Sequence, residues 1–442
     1  MIETVKIKKG LDIPLGGTPE RHIVDARNID RYAVKPPDVV GFTPRLLVAE
    51  GDTVTAGQPL VENKNDDRQT LPSPVDGVVK AIVRGEKRRL EAVVVARENP
   101  KVESKDISTF NFQLSTSSPV WWMLRERPFG TIANPDHEPK GIFVSMRDTN
   151  PLAPDIDFAL KGREHEFEAG VKALETFAPV HCVKAEGPHP AGNIGTIVAA
   201  LSPINKGECV WHVGAQDVAN IGRWVLTGEY RPERVIAVGG PAAKAPHYYR
   251  VLCGTSLQSI NDAQLIDASY PSISSESRLS RIISGSPLSG TAVSADGFLG
   301  MYDQQVCFIE EGDYHEVLGW IMPNLSKFSF SKTFLSGFSK LFKPLEMIDI
   351  PSPTYRFNTN LHGGRRPLMF TGDMERVFPF DIYPMQLIKA CIVGDVELQE
   401  KLGIYEVEPE DFALCEFIDP SKTEIQTIIR EALEVLRKEA IA

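Results

Sequence analysis

The sequence predicts a multidomain chain of mixed α/β and α+β class: a small β barrel or sandwich, a doubly wound parallel sheet, a small β-rich module and a helical C-terminal region. Three observations predict it. Residues 41–97 alternate short β-rich runs with turn signals, residues 140–241 alternate strand-like with helix-like runs, and residues 384–436 carry capped helical periodicity. A chain of 442 residues also exceeds what one hydrophobic core holds, so about three domains are expected.

The first domain is expected over residues 1–110. The runs RLLVAEGDTVTAGQPLVENKNDD and TLPSPVDGVVKAIVRGEKRRLEAVVVA are punctuated by Gly51-Asp52, Asp76-Gly77 and Gly85-Glu86. Such pairs reverse the chain between short strands, which suits a barrel or sandwich. GDTVTAGQPL and SPVDGVV stand where biotinyl and lipoyl carrier domains have similar phrases, so this stretch resembles their barrel-sandwich fold. A carrier displays its modified lysine at a hairpin tip, and Lys64 in Glu62-Asn63-Lys64-Asn65 is the lysine in that position. Its flanks are neither Met-Lys-Met nor Asp-Lys-Ala. An unmodified structural domain is the favoured reading, with a lipoyl or biotinyl carrier as the competing one.

Residues 111–246 are expected to form a Rossmann-like α/β domain. GIFVSM, VHCVKA, ECVWHV and RVIAVGGP read as its strands. Between them, Phe167, Gly170, Val171, Leu174 and Phe177 share one helical face, and Val218, Ile221, Gly222 and Val225 form a second stripe. This alternation specifies a parallel sheet, whose ligands sit outside the carboxyl ends of the strands. The crevice there is expected to be lined by Asp148, Thr149 and Asn150, by residues 188–195, by Gln216 and Asp217, and by Gly239 and Gly240. His189 and His212 lie near it.

The loop EGPHPAGNIGT stands where a phosphate-binding loop would aim successive N–H groups at an anion on a helix start. Pro188 and Pro190 lack that N–H. Gly187, Gly192 and Gly195 do not follow G-x-G-x-x-G, and no Lys-Ser/Thr follows as in a P-loop. The crevice is therefore read as a vestigial nucleotide or flavin site. No nucleophile with an orienting acid accompanies the two histidines, so no catalytic residue is assigned.

The segment SPVWWMLRERPFGT sets Trp121, Trp122 and Leu124 beside Arg125 and Arg127. Two readings stand for it: an aromatic surface with guanidinium donors suited to a quinone ring and its carbonyl oxygens, or packing between domains. Residues 247–323 are expected as a β-grasp-like α+β module, from RIISGSPLSGTAV, FLGMYDQQVCFIEEG and YHEVLGWIMP, with a short helix near CGTSLQSI. Residues 324–375, rich in Ser, Gly, Pro and Phe without a period, are expected as an extended connection, and 376–442 as a helical domain. There Pro384 opens one helix, Asp395 caps the next, and Ser421 with Glu424 forms a capping box ahead of Ile425, Ile428, Ile429, Ala432 and Leu436.

The 59 acidic against 48 basic side chains give a net charge of −11, which argues against a nucleic acid partner, since phosphate binding needs a basic face. No apolar run approaches the ~20 residues that cross a bilayer, and the N-terminal MIETVKIKKGLDIPLGG has no hydrophobic signal core. A cytoplasmic protein, able to dock on a membrane partner, is expected. The six cysteines are scattered with no C-x-x-C pair, so buried reduced thiols are expected and no metal site. An iron–sulfur cluster needs about four thiolates, whereas ALCEFIDPSK offers only Cys415, with Asp419 before Pro420.

The order of these parts, with VWHVGAQDVANIG, RVIAVGGP, RIISGSPLSG, EVLGWIMP, MERVFPFDIYP and DFALCEFIDPSK, resembles the NqrA family of the sodium-translocating NADH:quinone reductase (Nqr) complexes over essentially the whole chain. That family looks like the flavoprotein subunit of complex I and the RnfC protein of the Rnf complex, stripped of cofactors. The resemblance implies a peripheral protein at the cytoplasmic face of the inner membrane, in a complex of six subunits that oxidises NADH, reduces ubiquinone or menaquinone and exports sodium. It places NADH, FAD, FMN and iron–sulfur chemistry on other subunits, and sets this chain against the membrane protein NqrB. Trp122, Arg125, Arg127 and Phe129 match a family segment suspected of lying near the quinone. A self-sufficient FMN- and NADH-binding dehydrogenase is the alternative from the enzyme class.

Overall fold

The computed structural model describes residues 2–26, 29–98, 113–264, 280–314, 318, 327–330 and 354–441. The strands expected from residues 41–97 form. One sheet runs in the order Arg31–Val34, Leu90–Arg97, Gly77–Arg84, Thr53–Val54, and a second in the order Pro44–Leu46, Pro59–Asn63, Asp66–Pro72. Val54, Leu60, Leu71, Val79, Val93 and Val95 are buried between them. Their core is continuous with Trp121, Trp122, Ile142, Val144 and Val218 of the following α/β region, so the barrel-sandwich is packed onto that region as one apolar mass. Lys64 is exposed in the turn between the 59–63 and 66–72 strands, its backbone N–H donating to the Thr43 carbonyl at 2.8 Å.

The α/β region is built on a six-stranded sheet in the order Ile2–Lys6, Val180–Glu186, Ile142–Ser145, Val210–His212, Arg125–Arg127, Thr131–Ile132. The first four are parallel and the last two antiparallel. Residues alternate between two covered faces: Phe143, Val183, Ala185 and Val210 pack with helix Ile194–Leu201, while Ile142, Val144, Cys182 and Trp211 face the helices Glu164–Leu174 and Ala215–Thr227. Those last two helices cross with little space. A Cβ on Gly170 would lie 2.9 Å from the Val218 carbonyl carbon, and one on Gly222 2.7 Å from that of Glu166.

Two expectations change here. The strand Glu233–Gly239, expected to close this unit, joins a second sheet, in the order Thr291–Val293, Ser280–Ser284, Gln305–Glu310, Glu233–Gly239, His247–Leu252, Glu20–Asp25. It pairs antiparallel with 247–252 across a short connection and parallel with 305–310. All seven of its residues are buried, which fits an interior strand of either sheet; only long-range pairing assigned it. The second change is at the N-terminus. Residues 2–6 edge the first sheet and 20–25 the second, so the opening segment is shared between the two sheets and lies outside the barrel-sandwich.

The second sheet packs Ile236, Val238, Tyr249, Val251 and Phe308 against the short helix Gln258–Gln264, which lies where the sequence suggested. The strand expected at 314–323, apart from Tyr314 and Leu318, and residues 324–326 and 331–353 of the connection lie outside the described residues. Residues 354–373 run extended, with isolated bridges from Tyr355 to Leu15 and from Asn358 to Glu310.

The C-terminal region comprises helices Met374–Val377, Pro384–Val393, Val396–Lys401, Ala413–Ile418 and Ile425–Ile441 around Phe378, Leu387, Ile404, Phe412, Ile429 and Leu433. Pro384 is the first residue of its helix, Gly394 ends it in the left-handed conformation, and the Asp395 carboxylate accepts from Leu398 N at 3.0 Å. The capping box does not form. Ser421 Oγ accepts from Met369 N and Glu424 pairs with Arg365. Asp419 instead accepts from the backbone N–H of Ser421 and of Thr423, and Glu416 from that of Gln426. Among the described residues no helix is long and apolar enough to cross a membrane.

Candidate functional site

The glycine loop after the 180–186 strand is filled by the chain itself. Pro188 and Pro190 offer no N–H, and the remaining amides from 189 to 193 are engaged. His189 N donates to Asp12 Oδ1 (2.9 Å), Ala191 N to the Pro188 carbonyl, Gly192 N to Thr149 Oγ1 (2.9 Å) and Asn193 N to the Pro190 carbonyl. Residues 7–12 lie along the loop, with Ile7 N bonded to the Glu186 carbonyl and Leu11 N to that of His189. Gly187 is needed because Ile7 packs against its Cα, and Gly192 because the 147–149 backbone does. His189 is 1% exposed, its Nδ1 lies 3.3 Å from Thr149 Oγ1, and burial lowers its pKa to about 4.

The C-terminal region supplies the second plug. A Cβ on Gly195, in the first turn of the 194–201 helix, would lie 2.5 Å from Asp411 Cγ and overlap both carboxylate oxygens. Asp411 therefore sits at the helix start where a phosphate would be expected. It is held there by Arg127 Nη2 (2.8 Å) and by Glu408 N (2.9 Å). Arg127 is fully buried and also faces Glu408, at 3.7 Å. With these donors engaged and a carboxylate in the anion position, the loop does not fit a flavin or nucleotide phosphate.

Beside the plugged loop, a polar cleft of about 190 Å³ opens at the carboxyl ends of the 142–145 and 210–212 strands. Arg125, Asp148, Asn193, His212, Tyr302 and Glu410 help to line it. Arg125 and His212 are partners in register, and the Arg125 guanidinium lies 4.5 Å from the Tyr302 ring centre. His212 is held well below its ordinary pKa by burial, and further by the charges of Arg125 and Arg127. Glu410 goes the other way: burial, then Asp411 and Glu408, push it up to about 7. Asp148, raised by burial, accepts at Oδ1 from Asn150 N and Nδ2.

Comparison with known proteins now decides the family. Residues 5–98 match a family model described as the NqrA N-terminal barrel-sandwich hybrid domain, 111–186 and 175–230 the NqrA second alpha/beta domain, and 235–295 the NQRA C-terminal domain. The chain is 35% identical to the NqrA protein of the Na(+)-translocating NADH-quinone reductase of Rhodopirellula baltica, over 98% of each chain. It is 36% identical to the corresponding protein of Neisseria meningitidis serogroup C, and 36% to that of Yersinia pseudotuberculosis, in each case over 98% of this chain and 100% of the relative. The chain belongs to the NqrA family of Na(+)-translocating NADH-quinone reductases. The family resemblance drawn from its motifs is borne out.

In this member of the NqrA family, the WWMLRERPF segment is interior. Trp122 is 2% exposed, donates to the Tyr230 hydroxyl at 3.2 Å and tilts against Tyr302. Trp121 donates to the Ala133 carbonyl and meets Trp211 and Phe177 edge-on. Phe129 packs edge-on against Tyr405. Of the four residues suspected of touching quinone, Arg125 alone lines the cleft; Trp122, Arg127 and Phe129 join regions of the chain, the second of the two readings open for that segment.

The expected crevice is also only partly assembled. Asp148 and Gly192 line the cleft, with Asn150. Gln216 instead stitches its helix to Val235, through both that residue's N–H and carbonyl. Asp217 forms a two-pronged pair with the fully buried Arg234, at 2.8 and 2.9 Å. Gly239 and Gly240 leave the crevice with their strand and admit residues 17–19 and the 305–310 strand at close range. Cys415 is fully buried and burial pushes its thiol up, while both Asp419 oxygens cap backbone amides, so this loop is built as a structural turn. Glu126, His137 and Cys209 bring donor atoms within 4.8 Å of one another, but Glu126 is already engaged by Trp211 Nε1, Asn134 N and His137 Nδ1.

Proposed function

We propose that this chain serves as the NqrA component of a sodium-translocating NADH:quinone reductase, a peripheral protein at the cytoplasmic face of the inner membrane that docks on the membrane protein NqrB. In this reading it holds no redox cofactor of its own and contributes to reduction of ubiquinone or menaquinone to quinol, with NADH oxidation, FAD, FMN and iron–sulfur centres on other subunits. The likeness to NqrA proteins over 98% of the chain carries the assignment. The occupied glycine loop supports the cofactor-free part and counts against a self-sufficient flavoprotein.

Docking is supported by an apolar groove of about 530 Å³ between the 384–393, 396–401 and 425–441 helices. On and around it Ile392, Val393, Leu398 and Val435 are exposed, Val393 by 80%. A set of large apolar side chains gathered on one face marks an interaction surface. The quinone part is supported by Arg125, which lines the cleft and carries the guanidinium that would donate to a carbonyl oxygen. The test is a complex assembled without this chain. It is expected to oxidise NADH with ferricyanide as acceptor yet to lose quinone reduction, regained on adding the purified chain. Undiminished quinone reduction in its absence contradicts the proposal.

A further inference from the structure

Among the described residues, several polar groups of the cleft have no partner. Helix Ala215–Thr227 begins on it from Gly214 without a side-chain cap, whereas the start of helix Ile194–Leu201, which also borders it, is taken by Asp411. A helix start without a side-chain cap turns its positive dipole end toward that space. Arg125 enters from the adjacent strand and makes no ion pair with a described residue. His212 is 2% exposed and neither of its ring nitrogens has a partner, and Asn193 Oδ1 is buried without one. Buried polar groups of native folds are ordinarily satisfied, so a pair of orphans facing one cleft points to a missing ligand.

We propose that this cleft binds a small phosphate-bearing anion, held between the start of the 215–227 helix, Arg125 and His212. A tetrahedral oxyanion accepts hydrogen bonds from several sides at once, which matches donors arriving from one helix start and two adjacent strands. His212, kept neutral, offers one N–H and one lone pair. A hydrogen phosphate returns both an acceptor oxygen and a P–OH, whereas a carboxylate or sulfate returns acceptors only. A volume of about 190 Å³ falls below the ~300 Å³ where pockets for larger organic ligands begin, so a dinucleotide is excluded and inorganic phosphate or a small phosphomonoester fits. Three carboxyl groups also face the cleft. Asp148 is engaged by Asn150 and Asp303 by the Ser284 hydroxyl, and burial raises the pKa of both and of Glu410, which lessens the negative charge beside the anion. The site lies next to the plugged glycine loop and shares Arg125 with the quinone reading, so the anion is read in the absence of quinone.

The test is isothermal titration of the full chain with inorganic phosphate, in the absence of quinone. Saturable binding is expected, weaker for sulfate, and reduced about tenfold or more in Arg125→Gln through loss of a charge-assisted bond. Glu410→Gln, which removes one of the three carboxyl groups on the cleft, is expected to tighten it, and this gain cannot come from misfolding. Displacement of phosphate by glycerol 3-phosphate assigns a soluble ligand, and displacement only by phosphatidic acid vesicles a lipid headgroup. Absence of saturable heat at millimolar phosphate, or unchanged affinity in both variants, overturns the proposal.

Discussion

Gly195→Ala adds one methyl group at the point where the C-terminal region enters the glycine loop. Its Cβ would lie 2.5 Å from Asp411 Cγ, well inside van der Waals contact. Asp411 cannot simply swing away, because Oδ2 is fixed by Arg127 Nη2 at 2.8 Å and by Glu408 N at 2.9 Å. Two effects oppose each other. Alanine gains about 1 kcal/mol over glycine in a helix, while forcing a buried carboxylate off its guanidinium costs about 3–5 kcal/mol. The second wins, so a net loss of about 2–4 kcal/mol is expected in urea unfolding, together with faster amide exchange in the 425–441 helix, which packs against the 409–412 turn carrying Asp411. The double variant with Asp411→Ala checks the cause. Removing Asp411 is expected to cost less in the Gly195→Ala background than in the wild type, because the pair is already broken there. A Gly195→Ala protein as stable as the wild type, or more so, refutes the placement of Asp411 on this helix start.

Four further outcomes are expected. Arg234→Met strands the buried Asp217 and is expected to lower stability by about 3–5 kcal/mol, read by urea unfolding; a loss below about 1 kcal/mol contradicts the role given to that pair. Glu410, raised from 4.5 to about 7, contributes stability that is full below pH 4.5 and fades as pH rises through 7. Wild type minus Glu410→Gln should therefore decline across that window, and a flat difference counts against it. Val393→Glu with Val435→Glu is expected to abolish co-purification with the other subunits while leaving the fold intact by circular dichroism; retained co-purification moves the docking face elsewhere. The intact mass is expected to equal that of the unmodified chain, since a gain of lipoyl or biotinyl mass on Lys64 would revive the carrier reading.

What was legible in the sequence was local. The 41–97 strands, the stripes through Gly170 and Gly222, Pro384 and the Asp395 cap are set by neighbouring residues, and the structure keeps them. What failed depended on partners far along the chain. The 233–239 strand is apolar enough for either sheet, and 2–6 carries no strong pattern, so neither sequence names its neighbour. For Trp122 and Arg127 the sequence left ligand contact and packing between domains both open, because nothing local discloses that Tyr230 and Asp411 will pair with them. The prolines of the glycine loop pointed to lost donors, but the groups that fill it, Asp12 and Asp411, gave no signal beyond being acidic. The cleft needed a register between Arg125 and His212 that only strand pairing supplies.

The glycine loop of the α/β region is closed by residues 7–12 and by Asp411, and the proposal that the chain holds no flavin of its own rests on that closure. Titration of the purified chain with FMN, followed by flavin fluorescence, tests this most directly. An unquenched signal is expected at every protein concentration, in the wild type and in Arg125→Gln alike; stoichiometric quenching with one FMN per chain would contradict it.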